Sequence, residues 1–161
     1  MDPILSMLEK DARLTPREIA KATRQSAAQV TRRVKDYEKQ GVIVKYKAVI
    51  NKELTNENGE GVRALIEVKV APEKDRGFDH IAERIYRFPE VTSCYLLSGT
   101  YDLLLVVEGK NIQTIANFVA SKLSPLENVR GTVTHFLLKK YKEDGDILKT
   151  PEETKRMAIS Y

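Results

Sequence analysis

The sequence has no tryptophan, a single cysteine and only two histidines among its 161 residues. Because Cys94 has no second cysteine to pair with, an internal disulfide is excluded, and these few residues make a poor metal site. No run approaches the 18 consecutive apolar residues of a membrane-spanning helix, so we expect no contact with a membrane. Residues 1–3 do not begin a secretory signal, and we therefore expect a cytoplasmic protein.

Apolar and charged residues are both plentiful, at 42% and 31% of the chain. This composition is typical of a chain that buries a core and not of a disordered one. The net charge is +4, but residues 1–50 hold 11 Lys and Arg against 6 Asp and Glu, whereas residues 51–161 hold 16 against 17. A positive field over one small region attracts a polyanion, although chance alone also produces an excess of this size.

Three helix starts follow one another within residues 1–50. Asp2, Thr15 and Ser26 are suitable N-cap residues, and the first two precede a proline at the first helical position. Thr15 and Ser26 are followed three residues later by Glu18 and Gln29, which is the spacing of a capping box. The sequence therefore predicts three short helices.

The second and third helices are separated only by residues 23–25. Two helices joined so closely must cross sharply, which predicts a helix-turn-helix. Gly41 is a natural stop for the third helix. Residues 42–50 are alternating and rich in β-branched side chains, and they predict a strand. We expect residues 1–50 to form a DNA-binding domain with a linking strand.

The outward side of the third helix indicates what it binds. If Val30, Val34 and Tyr37 are buried, the helix presents its polar face and the positive end of its dipole, which suits a phosphate. Gln29 and Arg32 could reach base edges, since glutamine pairs with adenine and arginine with guanine. Three other cations, Arg24, Arg33 and Lys35, are expected to contact phosphates. A solvated helix with ordinary surface charges is the alternative. The candidate DNA-binding residues are Arg24, Gln25, Ser26, Ala28, Gln29, Arg32, Arg33 and Lys35.

Residues 62–142 predict the order strand–helix–strand–strand–helix–strand. This order is the ferredoxin-like split motif, in which both helices cover one face of an antiparallel sheet. The polar residues 51–61 predict a hinge, and residues 143–161 a C-terminal tail, so the expected fold class is α+β. The predicted strands are 62–70, 91–97, 101–108 and 129–140, and the predicted helices are 78–88 and 111–123.

The central strands of this sheet do not alternate. Residues 103–107 are apolar on both faces, and residues 95–97 continue this pattern on the neighbouring strand. A sheet with helices on one side should alternate, because its other face meets water. No further helix remains to cover that face, so we expect a dimer in which two sheets pack together.

Residues suited to catalysis are scarce. His80 and His135 have no acidic or cysteine partner at metal or triad spacing, and Cys94 is expected to be a small core residue. Isolated glycines such as Gly99 form no phosphate-binding loop. The sequence therefore predicts no catalytic residue, no metal and no cofactor.

Five stretches carry a resemblance to a known family: residues 12–20, 26–34, 41–43, 98–105 and 131–136. The motif that is most specific to the family is a Gly-x-x-Asp hairpin, Gly99 to Asp102, followed by a Thr-x-Thr strand that contains Thr132 and Thr134. Together with the helix-turn-helix, they resemble the leucine-responsive regulatory protein/AsnC family of bacterial and archaeal transcription regulators.

The resemblance implies dimers that join into tetramers or octamers and bind a small amino-acid effector where dimers meet. Amide groups at a glycine turn can hold a carboxylate, and Asp102 can face an ammonium. Without the resemblance, Gly99 would simply make the turn and Asp102 would cap it. Carried onto this sequence, the effector-binding residues are Ser98, Gly99, Thr100, Tyr101, Asp102, Thr132 and Thr134.

The expected function is a sequence-specific DNA-binding transcriptional regulator that responds to a small amino acid or related metabolite. Its expected partners are double-stranded DNA, the effector and further copies of the chain. Two alternatives stay open. One is an enzyme like the sirohaem decarboxylases, which resemble this layout but tend to carry a His-x-Tyr-Asn hairpin where this chain has residues 98–102. The other is a metabolite-binding assembly whose helix-turn-helix contacts proteins.

Overall fold

The computed structural model describes residues 1–55, 61–72 and 77–148, and its internal contacts divide the chain into two compact units. The first unit ends at Ile50 and the second begins at Asn51. Part of the expected hinge and most of the expected tail, residues 149–161, lie outside the described residues.

The first unit contains the three predicted helices, and each helix begins directly after its predicted N-cap residue. Asp2 accepts a hydrogen bond from the Ile4 amide at 2.8 Å. Thr15 and Ser26 each form the complete capping box that was predicted from the spacing. The helices are α1 (Pro3–Lys10), α2 (Pro16–Thr23) and α3 (Ala27–Lys39).

A small apolar core joins these helices. Ile4 from α1, Ile19 and Ala20 from α2, and Val30 from α3 are buried. Val34, which was expected to be buried, is only partly so, because it lies at the edge of this core. The opposite side of α3 remains open to solvent.

Gly41 ends α3 as predicted. Its φ of 72° is left-handed, a conformation that glycine adopts without a Cβ penalty. The amides of Gly41 and Val42 donate to the carbonyls of Glu38 and Tyr37 at 3.1 and 2.9 Å, the paired bonds of a Schellman motif.

The strand predicted for residues 42–50 is wrong for the single chain. These residues form no helix or strand, and Val44 has 87% of its surface exposed. An alternating sequence becomes a strand only when a neighbour supplies the other half of the hydrogen-bonded ladder. No described residue of the chain does so here.

The second unit has the predicted ferredoxin-like order. Four antiparallel strands lie in the order β2-β3-β1-β4, with Ile66 of β1 opposite Leu105 of β3 on one side and Thr134 of β4 on the other. The strands are β1 (Val62–Val70), β2 (Val91–Leu96), β3 (Leu103–Gly109) and β4 (Val129–Phe136), and the helices are α4 (Asp79–Tyr86) and α5 (Ile112–Phe118).

Several element ends differ from the sequence prediction. α5 gives way to a π-helical turn, Val119–Leu123, instead of continuing as an α-helix. β4 ends at Phe136, which is opposite Ala64 of β1, and the Leu137 amide makes one further hydrogen bond to the Arg63 carbonyl at 2.9 Å. The tail begins with a small hairpin of β5 (Lys142–Glu143) and β6 (Asp146–Ile147), whose Glu143 pairs with Arg63 of β1 at 2.9 Å.

One face of the sheet packs against both helices and the other is open. Ile66, Leu105 and Val107 lie on the helix side with no exposed surface. Cys94 packs against this core, as predicted, and its burial raises the pKa of the thiol. On the open face, Tyr95 is 51% exposed, which matches the apolar surface predicted from the sequence.

Candidate DNA interface and effector site

The N-terminal end of α3 is held by a reciprocal pair of hydrogen bonds. The Gln29 amide donates to Ser26 Oγ at 3.2 Å, and the Ser26 amide donates to Gln29 Oε1 at 2.9 Å. A bidentate contact with adenine needs both the oxygen and the nitrogen of the glutamine amide. Gln29 can therefore donate to a base through Nε2, while its Oε1, which already accepts from the Ser26 amide, has one lone pair left for a base.

The predicted DNA-binding residues lie in the turn before α3, at the start of α3 and on its open side. All of them are exposed except Gln25, which is partly buried. Arg32 and Lys35 form no ion pair with any residue that the structure describes. Their charges are therefore available to an external anion.

Arg24 ends α2 in a left-handed conformation, with φ 56° and ψ 35°. A non-glycine residue there costs roughly 1–2 kcal/mol, because its Cβ approaches the following carbonyl. The side chain is exposed at the turn of the helix-turn-helix. The amides of Arg24 and Gln25 both donate to the Ala20 carbonyl, so the end of α2 fixes this conformation.

Arg33 is engaged within the protein, which sequence reasoning missed. Its Nη2 lies 3.0 Å from Asp2 Oδ2 and its Nε donates to the Tyr37 hydroxyl at 3.1 Å. The hydrogen bond to Tyr37 and the charge of Asp2 raise the pKa of Arg33. The i, i+4 spacing of Arg33 and Tyr37 was a usable signal, whereas the ion pair to a residue 31 positions away was not.

The predicted effector residues 98–101 form the connection between β2 and β3. Residues 98–100 are exposed, and the backbone at Gly99 lies outside the left-handed region. A Cβ on Gly99 would meet no atom within 4 Å. The turn itself therefore does not require glycine, and a close approach from outside the chain remains a reason for it.

Asp102 fixes this connection to β1. Its Oδ2 accepts from the Val70 amide at 2.8 Å, and its own amide donates to the Val68 carbonyl at 3.1 Å. This carboxylate binds the end of β1 and does not cap the turn between β2 and β3, which is the role that the residues suggested without the resemblance. The same carboxylate still bears a charge that can face a ligand.

Thr132 and Thr134 lie on β4, on the far side of β1 from the hairpin. Thr132 is opposite Val68, the residue whose carbonyl accepts from Asp102. Both threonines are partly buried. The structure thus brings the hairpin and Thr132 to the same end of β1, with Thr134 two residues further along.

Among the described residues, no group of three His, Cys, Asp or Glu side chains could hold a metal ion. His135 contacts Glu67 on the open face of the sheet, with 3.1 Å between Nε2 and Oε1. No helix in the described part of the chain is long and apolar enough to cross a membrane.

Two family descriptions match the two units. Residues 4–44 match a winged helix-turn-helix DNA-binding domain, and residues 63–147 match the Lrp/AsnC ligand binding domain. The chain is 44% identical to the HTH-type transcriptional regulator YugG of Bacillus subtilis (strain 168), covering 98% of this chain and 94% of that protein. It is 31% identical to the HTH-type transcriptional regulator FL11 of Pyrococcus furiosus, covering 89% and 91%.

A solved structure has a similar fold. The complex of transcriptional regulator NMB0573 with L-Met from Neisseria meningitidis superimposes with a TM-score of 0.67 at 29% identity, covering 88% of this chain and 89% of that one. The capped helix-turn-helix and the β2-β3-β1-β4 sheet agree with these matches. The chain therefore belongs to the Lrp/AsnC family of helix-turn-helix transcriptional regulators.

Proposed function

We propose that this protein binds double-stranded DNA sequence-specifically through α3 and regulates transcription in response to a small amino acid or related metabolite. The observation that carries the DNA-binding part is the open side of α3, where Arg32 and Lys35 have no acidic partner among the described residues. A helix of this kind, second in a helix-turn-helix, is the element that enters the major groove. Such a regulator acts where the DNA is, which in bacteria and archaea is the cytoplasm.

The residues at the interface have different roles. Gln29 and Arg32 read base edges, Arg32 through the two acceptors of guanine. Arg24 and Lys35 contact phosphates, while Gln25, Ser26 and Ala28 lie at the entry of α3 into the groove. Arg33 also contacts a phosphate, but more weakly, because its guanidinium group is already paired with the carboxylate of Asp2.

The effector site is the connection of residues 98–102 with Thr132 and Thr134. Two observations support it: Gly99 has no structural need to be glycine, and the carboxylate of Asp102, three residues further along, is held in place by the Val70 amide. The NMB0573 relative, solved with L-Met, supports an amino acid as the class of effector. The effector acts by binding one assembly more tightly than another, since equal affinity shifts no equilibrium.

A dimer, assembling further into tetramers or octamers, completes the protein. The apolar open face of the sheet is covered by that of a second copy, which also places two helix-turn-helices for half-sites on one side of the duplex. Sedimentation equilibrium at micromolar concentration should show the dimer or a larger assembly. A monomer would contradict this part of the proposal.

DNA binding is tested by gel shift on the protein's own upstream DNA against a duplex of mixed sequence. We expect Arg32→Gln to lose about 5-fold to 150-fold in affinity for the specific duplex, since a good bidentate base contact is worth about 1–3 kcal/mol. Arg33→Gln should lose less. Arg13→Gln is the matched control, because Arg13 is paired with Asp11 at 2.9 Å and is 90% exposed.

The effector is tested by thermal shift with each amino acid. Asp102→Asn keeps an oxygen that can accept from the Val70 amide but removes the charge that faces an ammonium. We expect the variant to fold with an unchanged melting temperature and to lose the shift given by the active amino acid. An undiminished shift would remove Asp102 from the site.

The enzymatic alternative has a direct readout. A sirohaem-decarboxylase-like protein changes the absorption spectrum of an added tetrapyrrole, whereas we expect this protein to leave it unchanged. Genomic footprinting distinguishes the proposed regulator from a metabolite-binding assembly whose helix-turn-helix contacts proteins. No promoter fragments would be recovered with such an assembly.

A further inference from the structure

An acidic and a basic side chain meet near the middle of the open face of the sheet. Glu67 of β1 lies between Leu104 of β3 and Val133 of β4. His135 of β4 lies opposite Leu65 of β1. The distance between His135 Nε2 and Glu67 Oε1 is 3.1 Å, and the two side chains are 55% and 30% exposed. The pair is therefore surrounded by apolar side chains but still in contact with water.

The strands and the hairpin around this pair bring further ionisable side chains to the same face: Arg63 and Lys69 of β1, Tyr95 of β2, Glu108 of β3 and Glu143 of β5. Arg63 is already paired with both Glu108 and Glu143. Lys69 is exposed and is the last residue but one of β1, so its amino group can stay in water when the face is covered. Glu67 therefore depends on His135 for a neutralising charge.

Covering the open face changes the free energy of the two charge states of this pair. A single carboxylate is costly to bury among apolar side chains, whereas an ion pair that is buried together has no net charge. Histidine changes its charge between about pH 5 and 8. Removal of water from the face thus favours the state in which the pair holds a proton. The proton belongs to the pair as a whole, whichever of the two groups carries it.

We propose that two copies of the chain, when they assemble through the open face, take up a proton at each pair of Glu67 and His135. The dimer then tightens as the pH falls from about 8 to about 6. This inference rests on the proposed dimer and adds a response to pH. An assembly that binds one proton more than its separate chains weakens by up to about tenfold for each unit of rising pH, and a symmetric dimer has two such pairs.

The test is sedimentation equilibrium of the full chain between about pH 6 and 8 at constant ionic strength. We expect the dissociation constant of the dimer to be at least about tenfold higher at the alkaline end. His135→Gln keeps a donor for Glu67 but cannot carry the charge, so it should weaken the dimer at the acid end and lose most of the pH dependence. His80→Gln, which replaces the histidine of α4 on the other side of the sheet, is the matched control and should behave as the parent protein.

A second variant predicts the opposite sign. In Glu67→Gln, His135 would be buried as a single cation, so assembly should release a proton and the dimer should tighten as the pH rises. A purely structural role for Glu67 would not reverse the slope.

Three results would count against the inference. A parent dimer whose dissociation constant did not change with pH would overturn it and leave the proposed function standing, and so would a pH dependence that survived His135→Gln. A chain that stayed monomeric throughout this range would overturn both this inference and the proposed dimer.

Discussion

Each of the two units of the chain is stabilised by a different kind of interaction. In the first, each helix begins at a residue whose side chain caps it, and the described core has four buried residues. In the second, twelve buried residues lie between a sheet and two helices, and β1 pairs with strands distant in the sequence. The first unit therefore depends on local hydrogen bonds, and the second on contacts that only the complete fold creates.

The largest effect should come from removing one core side chain in each unit. Ile19→Ala and Ile66→Ala each leave a cavity that costs about 2–5 kcal/mol. We expect Ile19→Ala to unfold the first unit and abolish DNA binding while the second stays folded, because its small core cannot absorb the loss. Hydrogen exchange resolved by peptide is the measurement. Equal loss of protection in both units after Ile19→Ala would show that they unfold as one.

A smaller effect should follow the loss of one cap. Ser26→Ala removes the hydroxyl that accepts from the Gln29 amide, and such a change costs about 1 kcal/mol. Thermal denaturation should show the loss, and DNA affinity should fall with it, because the start of α3 frays. Ser124→Ala, which removes an exposed hydroxyl from the second unit, should change neither. If both variants behaved alike, local capping would not be what holds α3.

Arg24→Gly should separate stability from binding. Glycine relieves the left-handed strain at this position but makes the unfolded chain more flexible, so the net gain in stability is about 0.5–1 kcal/mol. Affinity for DNA should nevertheless fall, because a phosphate contact is lost. An Arg24→Gly variant with lower stability would contradict the strain at this position, and one with undiminished DNA affinity would contradict the phosphate contact.

The smallest effect should come from Asp2→Asn, which keeps the N-cap but removes the ion pair with Arg33. A surface pair of this kind is worth at most about 1 kcal/mol. Partial burial acts to raise the pKa of Asp2, but hydrogen bonds from Ile4 and Tyr37 and the charge of Arg33 outweigh it, so the pKa is lowered below 3.8.

The sign of the pH dependence follows from that lowered pKa. The pair stabilises the fold above the ordinary pKa of an aspartate, and the stabilisation is lost as the pH falls through the lowered value. Melting temperatures measured on both proteins between about pH 6 and 2 should converge at the acid end. A constant difference would mean that the charge of Asp2 contributes nothing.

These differences explain what could be predicted from the sequence. The helix starts at Asp2, Thr15 and Ser26 were predictable, because a cap and its partner lie within three residues of each other. The strand of residues 42–50 was not, since alternation does not show whether a neighbouring strand exists. The order of the second unit was predictable from its periodicity, but strand ends depend on register.

The candidate sites show the same division. The exposed side of α3 followed from the spacing of its apolar residues. The pairing of Arg33 with Asp2 and the hydrogen bond from Val70 to Asp102 join distant parts of the chain, and no local pattern indicates them.

Methylation interference on the specific duplex tests most directly whether α3 reads the major groove. Dimethyl sulfate places a methyl group on guanine N7, one of the two atoms that Arg32 would bind. We expect blocked guanines in two clusters about one helical turn apart, one for each protomer of a dimer, and loss of one blocked guanine per cluster with Arg32→Gln. Binding that was indifferent to N7 methylation on every guanine would contradict the reading of DNA by this helix.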